Sequence, residues 1–348
     1  LVVAIGYRLN VFGFLAGEEL LHESNGEAGG NFGLWDQRVA AEWVRDWIPY
    51  FGGDPGNITL AGRSAGAYSA EAQMLYDFLK PGDKASLYRR IFMDSNAIPA
   101  QPKSLADVRG QFDEICEYFQ VPRGLPGPEK LKPQLCVSKE FADEFKKRGY
   151  KILIGEVRNE ETLYSTYNAP TEPTLDALKL QVSNYYAPQV TERAIQQYRL
   201  PASEELEDWR RTFGNIVSDG QVRAPSRCLV KALVENGVDL QDVWRYHIAY
   251  RLSFINEEVA PASFGVAHAM DRPIWNFSIC YGPTPVETQL MKDLIQILTA
   301  FVNDDKGYKF DTASIDQMKV MTPEGKIQIQ PDERWEELVR LGSIFAGN

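Results

Sequence analysis

The reading turns on the stretch NITLAGRSAGAYSAE, Asn57 to Glu71. A β-favouring run, Ile58 to Ala61, meets a cluster of small residues, and a helix-forming run follows from Ala65 to Leu79. Gly62-Arg63-Ser64-Ala65-Gly66 fits the pattern G-x-S-x-G. In that pattern the serine sits on a sharp, strained strand-to-helix turn. Side chains two residues to either side are expected to collide with the turn, hence the glycines. The turn lifts the serine oxygen out of the sheet. It also aims the N–H of the next residue, here Ala65, at a developing negative charge, and the following helix N-terminus adds a favourable dipole.

Working outward, Val39, Ala40, Trp43, Val44, Trp47 and Ile48 recur at helical spacing, so an amphipathic helix is expected over Leu34 to Trp47. The loop FGGDPGN, residues 51–57, breaks it. Strands are expected at Leu1–Gly6, Arg90–Asp94, Lys151–Gly155 and Val243–Leu252, with a short one in RPIWNF, residues 272–277. A helical stripe runs through Leu290, Met291, Leu294, Leu298, Phe301 and Val302. Strands separated by helices predict an α/β fold, with a mostly parallel sheet covered on both faces. The chain reads as one domain over residues 1–348, with cap-like insertions at 99–150 and 163–237.

Bulk properties narrow the function. The formal net charge is -11, which disfavours nucleic acid or an anionic membrane as partner. No apolar run is long enough to span a bilayer. The four cysteines, Cys116, Cys136, Cys228 and Cys280, lack paired spacing, so no zinc site is expected. Cys116 and Cys136 are either buried thiols or the two ends of a disulfide loop. The sequons at Asn57 and Asn276 lie in or beside expected strands, where a glycan fits poorly. Leu1–Leu15 has no basic n-region and no cleavage-site pattern. A domain that opens on its own central strand suggests missing upstream sequence.

The segments YRLNVFGFL (residues 7–15) and GGNFGLWDQRVAAEWVRDWIPYFGGDPGNITLAGRSAGAYS (residues 29–69) strongly resemble the type-B carboxylesterase/lipase family. These are α/β-hydrolases that also include the cholinesterases. The likeness is close to unbroken from Leu1 to Ser95 and intermittent afterwards. It implies an α/β-hydrolase fold and a serine–acid–histidine triad in that chain order, acting on small-molecule carboxylic esters without metal or organic cofactor. The nucleophile is then Ser64. The acid is implied by ILIGEVRNEETLY, residues 152–164, where Glu160 holds the matching position. Glu161 replaces the usual glycine, and Glu156 is the alternative carboxylate. Of the three histidines, His22 lies in a polar loop and His247 mid-strand. His268, in SFGVAHAMDRPIWNF, keeps the family's G-x-x-H spacing from Gly265 and is the implied base.

Two departures stand out. The family's glycine-rich oxyanion loop has no counterpart, because neither Gly29-Gly30 nor Gly52-Gly53 has its context. Ala65 N–H is thus the one oxyanion donor expected, which predicts weak or absent activity in this N-terminally truncated form. Arg63 stands where most relatives carry glutamate. It either steers specificity away from cationic esters, toward neutral or anionic acyl groups, or pairs with a nearby carboxylate. Ser95 in FMDSNA matches a serine-containing turn near the family's site, and Ser218-Asp219 a structural station before a helix. A serine ester hydrolase working through an acyl-enzyme is the expected function. The alternatives are a non-catalytic binding or adhesion relative and an inactive truncated product.

Overall fold

Among the described residues, six strands form one sheet whose spatial order follows the chain. They are β1 (Thr59–Arg63), β2 (Arg90–Asp94), β3 (Lys151–Val157), β4 (Val243–Ile248), β5 (Gln317–Met321) and β6 (Ile327–Pro331). β1 to β5 pair in parallel and β6 returns antiparallel. The computed structural model describes residues 1–79, 86–97, 104–118, 138–276 and 282–347. They fall into two compact units, Leu1–Ile58 with Gln101–Pro133, and Thr59–Ala100 with Gln134–Asn348.

The first unit holds α1 (Asn10–Phe14), α2 (Glu18–Glu23) and α3 (Phe32–Trp47). Arg8 grips Asp36 through two side-chain hydrogen bonds of 2.7 Å. The α3 helix forms as its periodicity predicts. Its apolar stripe is not covered, however: Val39, Trp43 and Trp47 are 65, 52 and 49% exposed, and the two indoles stack on each other at 6.2 Å. The expected strand at Leu1–Gly6 is irregular chain, with Val2 99% exposed. A β-favouring run becomes a strand only where a neighbour takes its ladder hydrogen bonds, and none among the described residues does.

The sheet belongs to the second unit. After β1 comes α4 (Ala65–Leu79), and α5 (Arg109–Tyr118) belongs to the first unit. Between β2 and β3 lies α6 (Lys139–Lys147), capped by the Ser138 hydroxyl. Between β3 and β4 run α7 (Glu161–Thr166), α8 (Leu175–Ser183), α9 (Pro188–Ile195), α10 (Leu206–Ser218) and α11 (Ala224–Glu235). Those helices build a core of their own around Leu178, Phe213, Ile216 and Val217, shared with Leu338 and Phe345. The last two residues sit on α14 (Trp335–Phe345), the C-terminal helix. A second core lies between β3, β4 and α13 (Pro285–Val302). RPIWNF is not a strand, because Arg272–Asn276 forms a short helix, α12. Proline tolerates the first turn of a helix but not a strand interior, and Asp271 C=O accepts from Ile274 N–H at 2.9 Å. Cys116 is buried and Cys228 half-buried, both as free thiols; Cys136, Cys280 and the end of the second sequon lie outside the described residues.

Beneath the sheet's covering helices sits a closed ionic cluster. Arg227 of α11 meets both oxygens of Glu156 on β3 and donates to Asp332 at 2.9 Å, and Arg245 of β4 donates to Asp332 at 2.6 Å. All four side chains are 5% exposed or less. Burying such charges is tolerable only because each has its counter-ion. Arg227→Ala is therefore expected to lower unfolding free energy by about 3–5 kcal/mol, by stranding Glu156 and leaving Asp332 to Arg245 alone. Urea denaturation measures this, and a loss under about 1 kcal/mol would show that water re-solvates the site.

Candidate active site

Parallel strands deliver their C-terminal ends to one edge of the sheet, and the serine, acid and histidine segments all emerge there. Ser64 follows the last residue of β1 and has φ +53°, a conformation that costs a non-glycine residue of order 1 kcal/mol or more. The turn is held by Ser64 N–H donating to Asp94 C=O at 2.8 Å and Tyr68 N–H donating to Ser64 C=O at 3.1 Å. Gly62 is obligatory, since a Cβ there would lie 2.0 Å from Gly66 C=O. Gly66 is different: a Cβ there would meet nothing within 4 Å, so the expected collision applies to one side of the serine only. Ala65 opens α4, where a helix leaves its first amides without intrahelical partners.

Glu160 lies three residues beyond the parent strand's end and has no solvent exposure. Its Oε1 accepts from Val157 N–H at 3.0 Å, and its Oε2 is 2.5 Å from His268 Nδ1. A carboxylate at Nδ1 fixes the proton there and leaves Nε2 with its lone pair. The His268 side chain is 6% exposed. Burial pulls the imidazole's pKa down, but the hydrogen bond and charge of Glu160, with the charge of Asp271, outweigh it and hold the pKa above its ordinary value. Arg63 opposes that rise. The Ser64 hydroxyl makes no hydrogen bond among the described residues, so the serine and the histidine are not joined.

The other carboxylates considered are engaged elsewhere. Glu161 Oε2 accepts from Arg223 at 2.5 Å and its Oε1 from the Asn159 amide at 3.0 Å. Glu156 belongs to the Arg227 cluster. His247 lies on β4 with Nδ1 3.9 Å from Glu156, and His22 is exposed on α2. Ser218 and Asp219 both accept from Arg223, while Asp219 also accepts from Arg334 and Tyr198, a structural set of contacts.

Residues outside the motifs hold the histidine loop. Asn159 N–H donates to Val266 C=O at 2.9 Å, and Asn159 Oδ1 accepts from Val266 N–H at 3.0 Å. A side chain at Gly265, which has φ +61°, would strike that amide at 2.2 Å. Arg251 donates to the carbonyls of Ile255, Ala260, Pro261 and Gly265, tying the loop down from inside. Sequence reading missed Arg251, although an arginine just past β4, ahead of a long loop, was a usable signal. Missed too were Asp94, Tyr246 and Asp271, for which a carboxylate beside Ser95 and another three residues after His268 were the only hints.

The model of the carboxylesterase family matches residues 1–144 and 128–338. The chain belongs to that family. An uncharacterized esterase/lipase of Schizosaccharomyces pombe is 32% identical over 387 aligned residues, covering all of this chain and 70% of the relative. A protein named carboxylic ester hydrolase from Gibberella moniliformis is 32% identical over 388 residues, covering 99% and 70%. Acetylcholinesterase of Gallus gallus is 45% identical over 96 residues, 28% of this chain and 11% of that one. Family membership makes the fold that of an α/β-hydrolase, which the mostly parallel sheet agrees with, and places the chain among the carboxylic ester hydrolases.

The Glu160–His268 bond carries a pH signature. Because the folded imidazole binds its proton more tightly than the unfolded one, its stabilisation is complete below about pH 6.5 and is lost as pH rises through the folded value. In Glu160→Gln, the His268 titration followed by NMR is expected to move down by about one pH unit or more. An unmoved midpoint would mean that the carboxylate does not control the imidazole.

Proposed function

We propose that this chain is a serine carboxylic ester hydrolase in which Ser64 is the nucleophile, His268 the general base and acid, and Glu160 the residue that orients the imidazole. The observation that carries the reading is the buried 2.5 Å contact between His268 Nδ1 and Glu160, formed at the same sheet edge as a serine in a strained left-handed turn. Supporting it are the family model and the names of the relatives, which place ester hydrolysis among proteins of this build.

The chemistry follows from the roles. A serine hydroxyl is a weak nucleophile at neutral pH. As Ser64 Oγ attacks the ester carbonyl carbon, its proton passes to His268 Nε2, and Glu160 stabilises the imidazolium. The carbonyl π electrons move to oxygen, where the Ala65 N–H and the first turn of α4 supply positive potential. Collapse breaks the ester C–O bond, and the departing alkoxide takes the proton from Nε2. Water then attacks the acyl-enzyme by the same path, with His268 again receiving and returning the proton. A base whose pKa is raised gives an acid limb displaced upward, so activity is gained as His268 loses its proton.

A fluorophosphonate probe tests the assignment directly. Labelling of the wild type is expected, with none in Ser64→Ala. Hydrolysis of a short p-nitrophenyl ester by Ser64→Ala or His268→Ala is expected to fall by on the order of 10³-fold or more. A well-folded protein that takes no label and turns over no ester would instead support a binding or adhesion role.

A further inference from the structure

Behind the histidine lies a second pair of acids. The sheet register places Arg63 beside Asp94, Asp94 beside Gly155 and Gly155 beside Tyr246, one row across four strands. Register neighbours in a parallel sheet present their side chains to the same face. Gly155 leaves a gap in that row, because a Cβ would stand 2.5 Å from the Tyr246 ring. The ring lies across the gap, and its O–H donates to Asp94 Oδ1 at 3.0 Å. Ser95, also left-handed at φ +52°, donates its hydroxyl to the same oxygen at 3.1 Å. Asp271, three residues after His268, comes down onto this row. Its Oδ2 accepts from Trp275 Nε1–H at 2.9 Å, and the indole packs edge-on against Tyr246 and Phe92.

Both acids are sealed in, Asp94 4% and Asp271 0% exposed. Asp271 Oδ1 is buried and receives no N–H or O–H from any other described residue. Asp94 is the neighbouring acid whose influence on Asp271 accompanies that orphaned oxygen, so a proton carried by one of the two carboxyls is the donor that would satisfy it. Among the described residues the charged groups facing the pair are Arg63 from β1, Glu160 from the turn after β3, and His268 from the pair's own loop. Arg63 has no hydrogen bond or ion pair of its own among the described residues. Two ionised carboxylates would exceed its single positive charge, with Glu160 adding repulsion. With one proton shared, the pair's remaining charge matches the arginine. Burial first, and then mutual repulsion, hold the Asp94 carboxyl well above the usual carboxylate range, against the pull of Arg63 and the Tyr246 hydrogen bond. Burial and the charge of Glu160 likewise raise Asp271.

We propose that Asp94 and Asp271 share one proton, and that this carboxyl–carboxylate bond is a latch fastening the His268 loop to the end of β2, beside Ser64. Both acids are positioning residues that act through His268. When the shared proton is lost to solvent, two carboxylates face each other in a buried site and the loop is pushed away. The kinetic consequence rests on the triad reading given above; the proton itself does not.

Three measurements on the full chain test the latch. Infrared difference spectra at neutral pH are expected to show a protonated carboxyl that disappears in both Asp271→Asn and Asp94→Asn. An asparagine amide replaces the shared proton with a donor that does not titrate. The folded pair binds its proton more tightly than the unfolded acids, so wild-type stability falls relative to Asp271→Asn as pH rises from about 4 toward the folded value. That relative fall in the folding equilibrium constant is up to about tenfold per pH unit. Ester hydrolysis is expected to show an alkaline limb in the wild type that moves up by about one pH unit or more in Asp271→Asn, whereas Asp271→Ala lowers kcat with little change in KM. A spectrum without the carboxyl band, or parallel stability–pH curves, overturns the shared proton even if no form hydrolyses esters. A present band with coincident alkaline limbs in an active enzyme overturns the latch. Should Asp271→Asn fail to fold, Asp94→Asn carries the same comparison.

Discussion

A carboxylate with no solvent exposure is the constraint on which the rest of this site depends. Glu160 is tolerable in its position only because each oxygen has a partner, the Val157 amide on one side and the His268 imidazole on the other. Those two contacts force the chain to turn sharply after β3 and bring in a loop more than a hundred residues away in sequence. The neighbouring contacts make that juxtaposition permanent. Asn159 zips the acid turn to Val266, Glu161 is held by Arg223, and Arg251 spends its donors on loop carbonyls. Acid turn and histidine loop thereby behave as one piece, attached to the sheet at its C-terminal edge.

The sheet contributes through register. The row Arg63, Asp94, Gly155, Tyr246 brings a cation, an acid, a gap and a phenol into line without any of them being adjacent in sequence. The gap matters as much as the groups. Any side chain at Gly155 would push Tyr246 off Asp94 and leave a buried carboxyl with one donor fewer. On the Glu156 side, acids and arginines pair fully; on the Asp94 side, two acids meet with one partial counter-charge. Strand β3 therefore separates a closed ionic cluster from an acid pair whose carboxyls burial holds above the usual range. That contrast explains why the Glu156 carboxyl is held below the usual range even though burial alone would raise it: the Arg227 charge and hydrogen bond prevail.

Much of this was legible in the sequence where structure is local. The strand Arg90–Asp94 and the helix Ala65–Leu79 have the bounds read from the residues, because alternation, small-residue turns and helical spacing are short-range signals. The Gly62 requirement was legible for the same reason. Local reading failed where a neighbour decides the outcome. Leu1–Gly6 looks like a strand but has no strand beside it among the described residues, and RPIWNF looks like one although Pro273 and the Asp271 carbonyl start a helix. The family pattern pointed to Glu160 and His268, yet their contact is a property of the fold. Nothing periodic could link Asp94 to Asp271 or send Tyr246 across Gly155. Such contacts arise from register, which one sequence does not display.

Arg63 shows how the two kinds of reading differ. From sequence it is an arginine where relatives mostly carry glutamate, and either a substrate preference or a salt bridge accounts for it. The structure offers a third account. Arg63 makes no ion pair among the described residues, yet its charge is felt by Asp94, by Asp271 and by His268. Toward the acids it is a counter-charge, and toward the imidazole a repulsion that limits how far Glu160 and Asp271 raise the base. A glutamate in its place would add a third acid to the buried pair and reverse both effects. The charge at this position and the carboxyl at Asp94 are thus linked: the strands are register neighbours, and the Arg63 charge favours the ionised form of Asp94 against the burial that opposes it.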